Sequence, residues 1–177
     1  MTCIAAIVES GRVWMGGDSA VNDNTDDSID LQADPKVFRI GQIIVGCCGD
    51  AQWESIWQRV KIGDVPETDI TQWVSTHLTD ALRKALKELT KDGFLADCES
   101  IIGIKGNLYS VEGDGCPWRV RNKYYAIGTG APPARGSLYE SSLQKKVDAP
   151  GKRLLRALKA AEHHTSIVRK PFHIIHT

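Results

Sequence analysis

Residues 2–18 read as a β-hairpin, and that commits the chain to an antiparallel sheet. Thr2-Cys3-Ile4-Ala5-Ala6-Ile7-Val8 is a short apolar strand and Glu9-Ser10-Gly11-Arg12 a tight turn. Val13-Trp14-Met15-Gly16-Gly17-Asp18 is a return strand that breaks at two glycines. A hairpin brings its strand ends together, so Asp18 is expected beside Thr2. Strand alternation sends Cys3 to the face opposite Thr2, where it reads as a core thiol.

Thr2 directly follows Met1. A cytosolic aminopeptidase usually trims Met when the next side chain is this small. Trimming leaves a first residue that carries both a hydroxyl and a free α-amine. A hydroxyl is a poor nucleophile without an adjacent base. An α-amine, with an ordinary pKa near ~8, can act as that base.

An irregular polar stretch, Asn22 to Gln32, follows the hairpin. Asp34-Pro35-Lys36-Val37-Phe38-Arg39-Ile40 comes next. A buried strand Ile43-Ile44-Val45-Gly46-Cys47-Cys48 then ends in Gly49-Asp50, and helical sequence starts at Ala51-Gln52-Trp53. A glycine between strand and helix offers an unshielded N–H at a helix N-terminus, a natural place to stabilise an oxyanion.

Taken in order, Thr2, Gly17-Asp18, Asp34-Pro35-Lys36-Val37 and Gly46-Cys47-Cys48-Gly49 resemble the proteasome β-subunit family of N-terminal-nucleophile (Ntn) hydrolases, in particular its HslV-like peptidase subunits. Tyr125-Ala126-Ile127-Gly128-Thr129-Gly130 looks like the Ala-Ile-Gly-Ser-Gly strand end of that family. The likeness runs from Thr2 to beyond Ser166. It implies an α+β fold: a four-layer αββα sandwich of two stacked antiparallel sheets flanked by helices.

The resemblance also implies roles. Thr2 would be the nucleophile and, through its amine, the base. Lys36 would be an ammonium beside it that lowers the pKa of amine and hydroxyl. Asp18 would pair with Lys36 and fix its position, and the Gly49 N–H would form the oxyanion hole. Thr129 stands where the family has a serine that hydrogen-bonds the N-terminus. Ser166 matches a second serine, with His163 in the place of an acid three residues earlier. Val21, Cys47 and Ala51 would line the substrate pocket. All three are uncharged, which suggests an apolar residue on the acyl side.

The activity implied is a threonine-type peptidase or amide hydrolase, the peptidase subunit of a self-compartmentalised homo-oligomeric ring. Peptide or unfolded protein would be its substrate and an ATP-dependent unfoldase its gatekeeper. Two alternatives stay open. One is a catalytically inactive assembly subunit, motivated by His163, by Thr129 in place of serine, and by the amide that the Thr2 nitrogen becomes if Met1 is retained. The other is a stand-alone Ntn amidase acting on a small acyl-amide.

The remaining sequence reads as one domain over residues 1–177. A long helix spans Thr68 to Lys91, with Ile70, Trp73, Val74, His77, Leu78, Ala81, Leu82, Ala85, Leu86 and Leu89 on one stripe and Thr68 or Glu67 as its cap. Asp50 to Lys61, Gly130 to Gln144 and Pro150 to His163 read as further helices. Ser100 to Lys105 and Leu108 to Glu112 form a hairpin around Gly106-Asn107, and Trp118 to Ile127 holds one or two more strands. Ser166 to His176 closes the chain as a strand.

Hydrophobic residues make up 42% of the 177, enough for a sizeable core. Twenty-two basic residues balance 22 acidic ones, so nothing favours nucleic acid or membrane as a partner. The basic run from Lys145-Lys146 to Lys152-Arg153 reads as a solvated helix face. Five cysteines and five histidines show no metal-ligand spacing, so no metal or cofactor is expected. Reduced thiols without a signal peptide suggest the cytoplasm.

Overall fold

The computed structural model describes residues 2–22, 28–144 and 148–177. The fate of Met1 and the Lys145-Lys146 pair lie outside the described residues.

The N-terminal hairpin is present. β1 (Ile4–Glu9) pairs antiparallel with β2 (Arg12–Gly17), with Ile4 opposite Gly17 and Glu9 opposite Arg12. β10 (Tyr124–Ile127) and β11 (His173–His176) flank the pair, giving a four-stranded antiparallel sheet in the order β10-β1-β2-β11. A second sheet runs β5-β6-β7-β8-β9: β5 (Val37–Ile40), β6 (Ile43–Cys48), β7 (Glu99–Ile104), β8 (Asn107–Glu112) and β9 (Pro117–Arg119), all antiparallel. The α-helical spans among the described residues are α1 (Ala51–Arg59), α2 (Ile70–Trp73), α3 (Thr79–Leu89), α4 (Ala131–Ser142) and α5 (Pro150–His164).

Strand alternation sorts the side chains into three cores, and those cores define four layers. Ala5 and Ile7 of β1, with Cys3 just before it, pack with Leu138, Leu154 and Leu158 of α4 and α5. Ile4 and Ala6, on the other face, meet Val37, Ile44 and Ile101 between the sheets. Ile43, Val45 and Cys47 point from β6 to Trp53, Trp57, Leu82 and Leu86 of α1 and α3. The arrangement is the expected αββα sandwich. Each fully buried isoleucine or leucine contributes roughly 1.5–3 kcal/mol to it. The sheets approach closely at Gly46, where a Cβ would meet Ile4 Cγ2 at 2.5 Å and Met15 Sδ at 2.8 Å.

Several local readings shift. The turn between β7 and β8 is Lys105-Gly106, both at positive φ (41° and 72°), not Gly106-Asn107; Asn107 already pairs with Ile104. This is the twist that two-residue hairpin turns favour. The long helix is interrupted by a π-helical segment, Val74–Leu78, between α2 and α3. The extra residue rotates the buried stripe, so His77 is exposed and Thr79 is buried. Its N-cap is Asp69, in a left-handed conformation, not Thr68 or Glu67.

Part of the Asn22 to Gln32 stretch is regular: β3 (Ala20–Asn22) and β4 (Ile29–Leu31) pair as a two-stranded ribbon. The last strand begins only at His173. Arg153 does not belong to a solvated face. It is buried, donates to Glu9 Oε2 at 2.9 Å and to Ser141 Oγ at 3.0 Å, and so ties α5 to β1 and α4.

Candidate active site

The open end of the β1–β2 hairpin brings Thr2 and Asp18 together. The Asp18 N–H donates to the Cys3 carbonyl at 3.3 Å, and the Cys3 N–H donates to Asp18 Oδ1 at 2.9 Å. β5 starts one residue after Lys36 and carries that lysine beneath the pair. Its Nζ donates to Thr2 Oγ1 at 3.0 Å, to Asp18 Oδ1 at 3.2 Å and to the Ala20 carbonyl. All three side chains are buried: Thr2 is 4%, Asp18 0% and Lys36 5% exposed.

A buried ammonium is expensive unless it is paired and hydrogen-bonded. Among the described residues three oxygens meet it. Burial still dominates and lowers the Lys36 pKa from its ordinary value, with the Asp18 carboxylate pulling the other way. Asp18 has further duties. Its Oδ2 accepts from the Ala20 N–H at 3.1 Å, with the Arg169 N–H at a long 3.5 Å.

Thr2 opens on a cavity of about 370 Å³ lined also by Ala20, Val21, Gln32, Lys36, Cys47, Cys48, Gly49, Asp50, Ala51 and Glu54. All three residues expected to form the pocket, Val21, Cys47 and Ala51, are on its wall. Gly49 sits at φ +110° on the way into α1, and among the described residues its N–H has no hydrogen-bond partner. Asp50 caps that helix, accepting from the Gln52 N–H at 2.7 Å. Behind the wall, Ser100 Oγ receives the indole N–H groups of Trp53 (2.6 Å) and Trp57 (2.7 Å) and touches Cys47 Sγ at 3.5 Å.

The thiols near the site are kept neutral by burial. Cys3 and Cys48 are both pushed up to about 12, with neighbouring carboxylates adding to the effect, and Cys47 rises well above its ordinary value. All five cysteines are free. Among the described residues no group of three or more His, Cys, Asp or Glu could hold a metal ion, and no helix is long and apolar enough to cross a membrane.

The outer residues fare differently. Thr129 lies on the segment after β10 that holds Thr2, where the Gly130 N–H donates to the Thr2 carbonyl at 3.1 Å, but Thr129 itself is exposed. Ser166 is exposed in the turn after α5, because that helix runs on to His164 and is closed by Thr165 Oγ1 on the Ala161 carbonyl. The part of this segment that reaches the site is the Arg169 backbone, whose carbonyl accepts from the Ser19 N–H at 3.1 Å.

Five lining residues, Ala20, Gln32, Cys48, Asp50 and Glu54, are not among those the sequence assigns to the site. Glu54 was findable: it lies three residues after Ala51 in the first turn of a helix, on the same face.

No protein-family model and no curated protein matches the sequence. Solved structures do. BPH from Thiobacillus denitrificans in complex with epoxomicin superposes with a TM-score of 0.79 at 20% identity, over 99% of this chain and 98% of that one. HslV from Trypanosoma brucei gives 0.71 at 16% identity, over 99% and 98%. The Anbu complex from Pseudomonas aeruginosa, solved as a helical assembly, gives 0.67 at 17% identity, over 100% and 81%. The chain has the proteasome-like fold. With that fold the αββα layers expected from the sequence are in place, and the hairpin, β5 and the β6–α1 junction supply the site described above.

Proposed function

We propose that the chain is an N-terminal threonine hydrolase, the peptidase subunit of a homo-oligomeric, self-compartmentalised assembly. The observation that carries this reading is the 3.0 Å hydrogen bond from Lys36 Nζ to Thr2 Oγ1 at the wall of a cavity that Gly49 also lines. Removal of Met1 frees the Thr2 amine. That amine takes the Oγ1 proton as Oγ1 attacks a carbonyl carbon, and the Lys36 ammonium stabilises the developing alkoxide. The Gly49 N–H receives the oxyanion of the tetrahedral intermediate. Collapse passes the proton to the leaving amine and leaves an ester on Thr2, which water, activated by the same amine, hydrolyses.

Assembly is supported by the Anbu neighbour, itself solved as a helical assembly. An enclosed site would hand substrate choice to an unfoldase and favour unfolded protein or peptide.

The test is the intact mass of the purified protein before and after treatment with epoxomicin, the compound bound by the Thiobacillus denitrificans neighbour. Loss of Met1 and a single adduct that Thr2→Ala abolishes supports the reading. Retained Met1 without an adduct overturns it. That result would favour an inactive assembly subunit, a second reading to which the exposed positions of Thr129 and Ser166 lend weight.

A further inference from the structure

The wall of the Thr2 cavity is not uncharged. The N-cap and first turn of α1 contribute Asp50, Ala51 and Glu54. Asp50 Oδ1 is taken by its own helix through the 2.7 Å bond from the Gln52 N–H, and the residue is exposed. Glu54 holds only a long 3.3 Å bond from Gln58 Nε2, one helical turn away. The cation on the same wall, Lys36, is held by Asp18, Thr2 and the Ala20 carbonyl. Among the described residues Glu54 therefore has no ion-pair partner.

Glu54 is also half-buried. Its pKa is raised by that burial and then by the Asp34 carboxylate, with Lys36 and Gln58 acting against the shift. A carboxylate in that position is stabilised by an incoming cation, because the charge-assisted bond forms in a partly desolvated wall. The rest of the lining suits a long aliphatic stem: Val21 and Ala51 on the rim, and Cys47 buried behind them. The volume lies within the range of small-ligand pockets, roughly 300–1,000 Å³.

Resting on the reading of Thr2 as nucleophile, we propose that this cavity accepts a basic side chain, arginine or lysine, from the residue whose carbonyl Thr2 attacks, and that Glu54 is the specificity-determining carboxylate. The apolar preference expected from sequence drew on Val21, Cys47 and Ala51 alone. Those residues contact the stem, and Glu54 selects the head.

Two N-acyl peptide amides, identical except for a terminal arginine or leucine, test this by equilibrium binding to the full-length Thr2→Ala protein with and without Glu54→Gln. The arginine peptide should bind about tenfold tighter or more. Glu54→Gln should erase that difference while leaving the leucine peptide unchanged. Equal binding, tighter leucine binding, or an arginine preference that survives Glu54→Gln overturns the proposal. A role confined to the helix N-terminus would move the melting temperature and not the ratio. Binding in the Thr2→Ala background does not depend on turnover, so a wild-type protein that cleaves neither peptide counts against the hydrolase reading and leaves the pocket's charge preference to be judged by the ratio.

Discussion

Lys36 donates a 3.0 Å hydrogen bond to the hydroxyl of Thr2 from a position almost closed to solvent. A fixed cation at that distance stabilises an alkoxide far better than water does, since the site needs no reorganisation when charge develops. Lys36→Met keeps the aliphatic stem and removes the charge. It is expected to lower kcat by about 100-fold or more, with KM little changed. Steady-state kinetics on a fluorogenic peptide amide, read beside a thermal melt, checks this; turnover near the wild-type level contradicts it.

On the proposed mechanism, the lowered pKa of Lys36 should make activity and stability diverge with pH. Activity that needs the ammonium is lost as pH rises through the lowered value, so the alkaline limb of kcat/KM should fall below the ordinary lysine range near ~10.4. Stability moves the other way. Between the lowered and the ordinary value the unfolded chain holds a proton that the folded chain has released, so this group's contribution to stability grows with pH across that window. Rate profiles and denaturant melts over the same alkaline series read both effects. An activity plateau that extends past the ordinary lysine value would refute the assignment.

Asp18 does more than place the lysine. It also accepts from the N–H groups of Cys3 and Ala20, and lies 3.5 Å from that of Arg169. Asp18→Asn turns one acceptor oxygen into an NH₂ that must face a donor, and it leaves Lys36 without its counter-charge. Breaking a buried pair in this way costs about 3–5 kcal/mol. The expected result is a large fall in the denaturant midpoint together with loss of turnover. A stable but inactive Asp18→Asn protein would show that the carboxylate serves chemistry alone.

The parts of the site legible in sequence were those set by short-range geometry. Hairpin closure puts Asp18 beside Thr2, and alternation separates Cys3 from it; both follow from a period of two. Gly49 was legible as a strand-to-helix glycine with an unshielded N–H; Lys36 needed the resemblance, because which strand underlies the hairpin is a tertiary matter. Errors came where one residue changes a local rule. The Lys105-Gly106 turn places a lysine at φ 41°, which propensity disfavours and the β7–β8 register demands. The π segment Val74–Leu78 rotates a stripe that a 3.6-residue period assigns to His77. The resemblance points to Ser166 on this segment; the structure leaves that serine exposed and brings the Arg169 backbone N–H to 3.5 Å from Asp18, a contact that leaves no mark on side-chain identity.

Gly49 offers the sharpest test of the oxyanion assignment. Its φ of +110° lies where L side chains are strained, and an added Cβ would stand 2.6 Å from the Asp97 carbonyl oxygen and 2.8 Å from both Cys98 Cα and Cys98 Sγ. The sulfur could be removed, but the Asp97 oxygen and Cys98 Cα are backbone and cannot swing aside, so Gly49→Ala must shift the loop that carries the N–H. Strain of this kind costs about 1–3 kcal/mol, which a fold with three cores tolerates. Loss of an aligned oxyanion donor costs about 100- to 1,000-fold in kcat. The variant should therefore fold with a modest drop in melting temperature, bind peptide, and turn over at least about 100-fold more slowly. Adding Cys98→Ala should not restore the rate, because the backbone obstacles remain. Recovery in the double variant would mean that the sulfur, which accepts the Asp50 N–H at 3.4 Å, sets the loop's position.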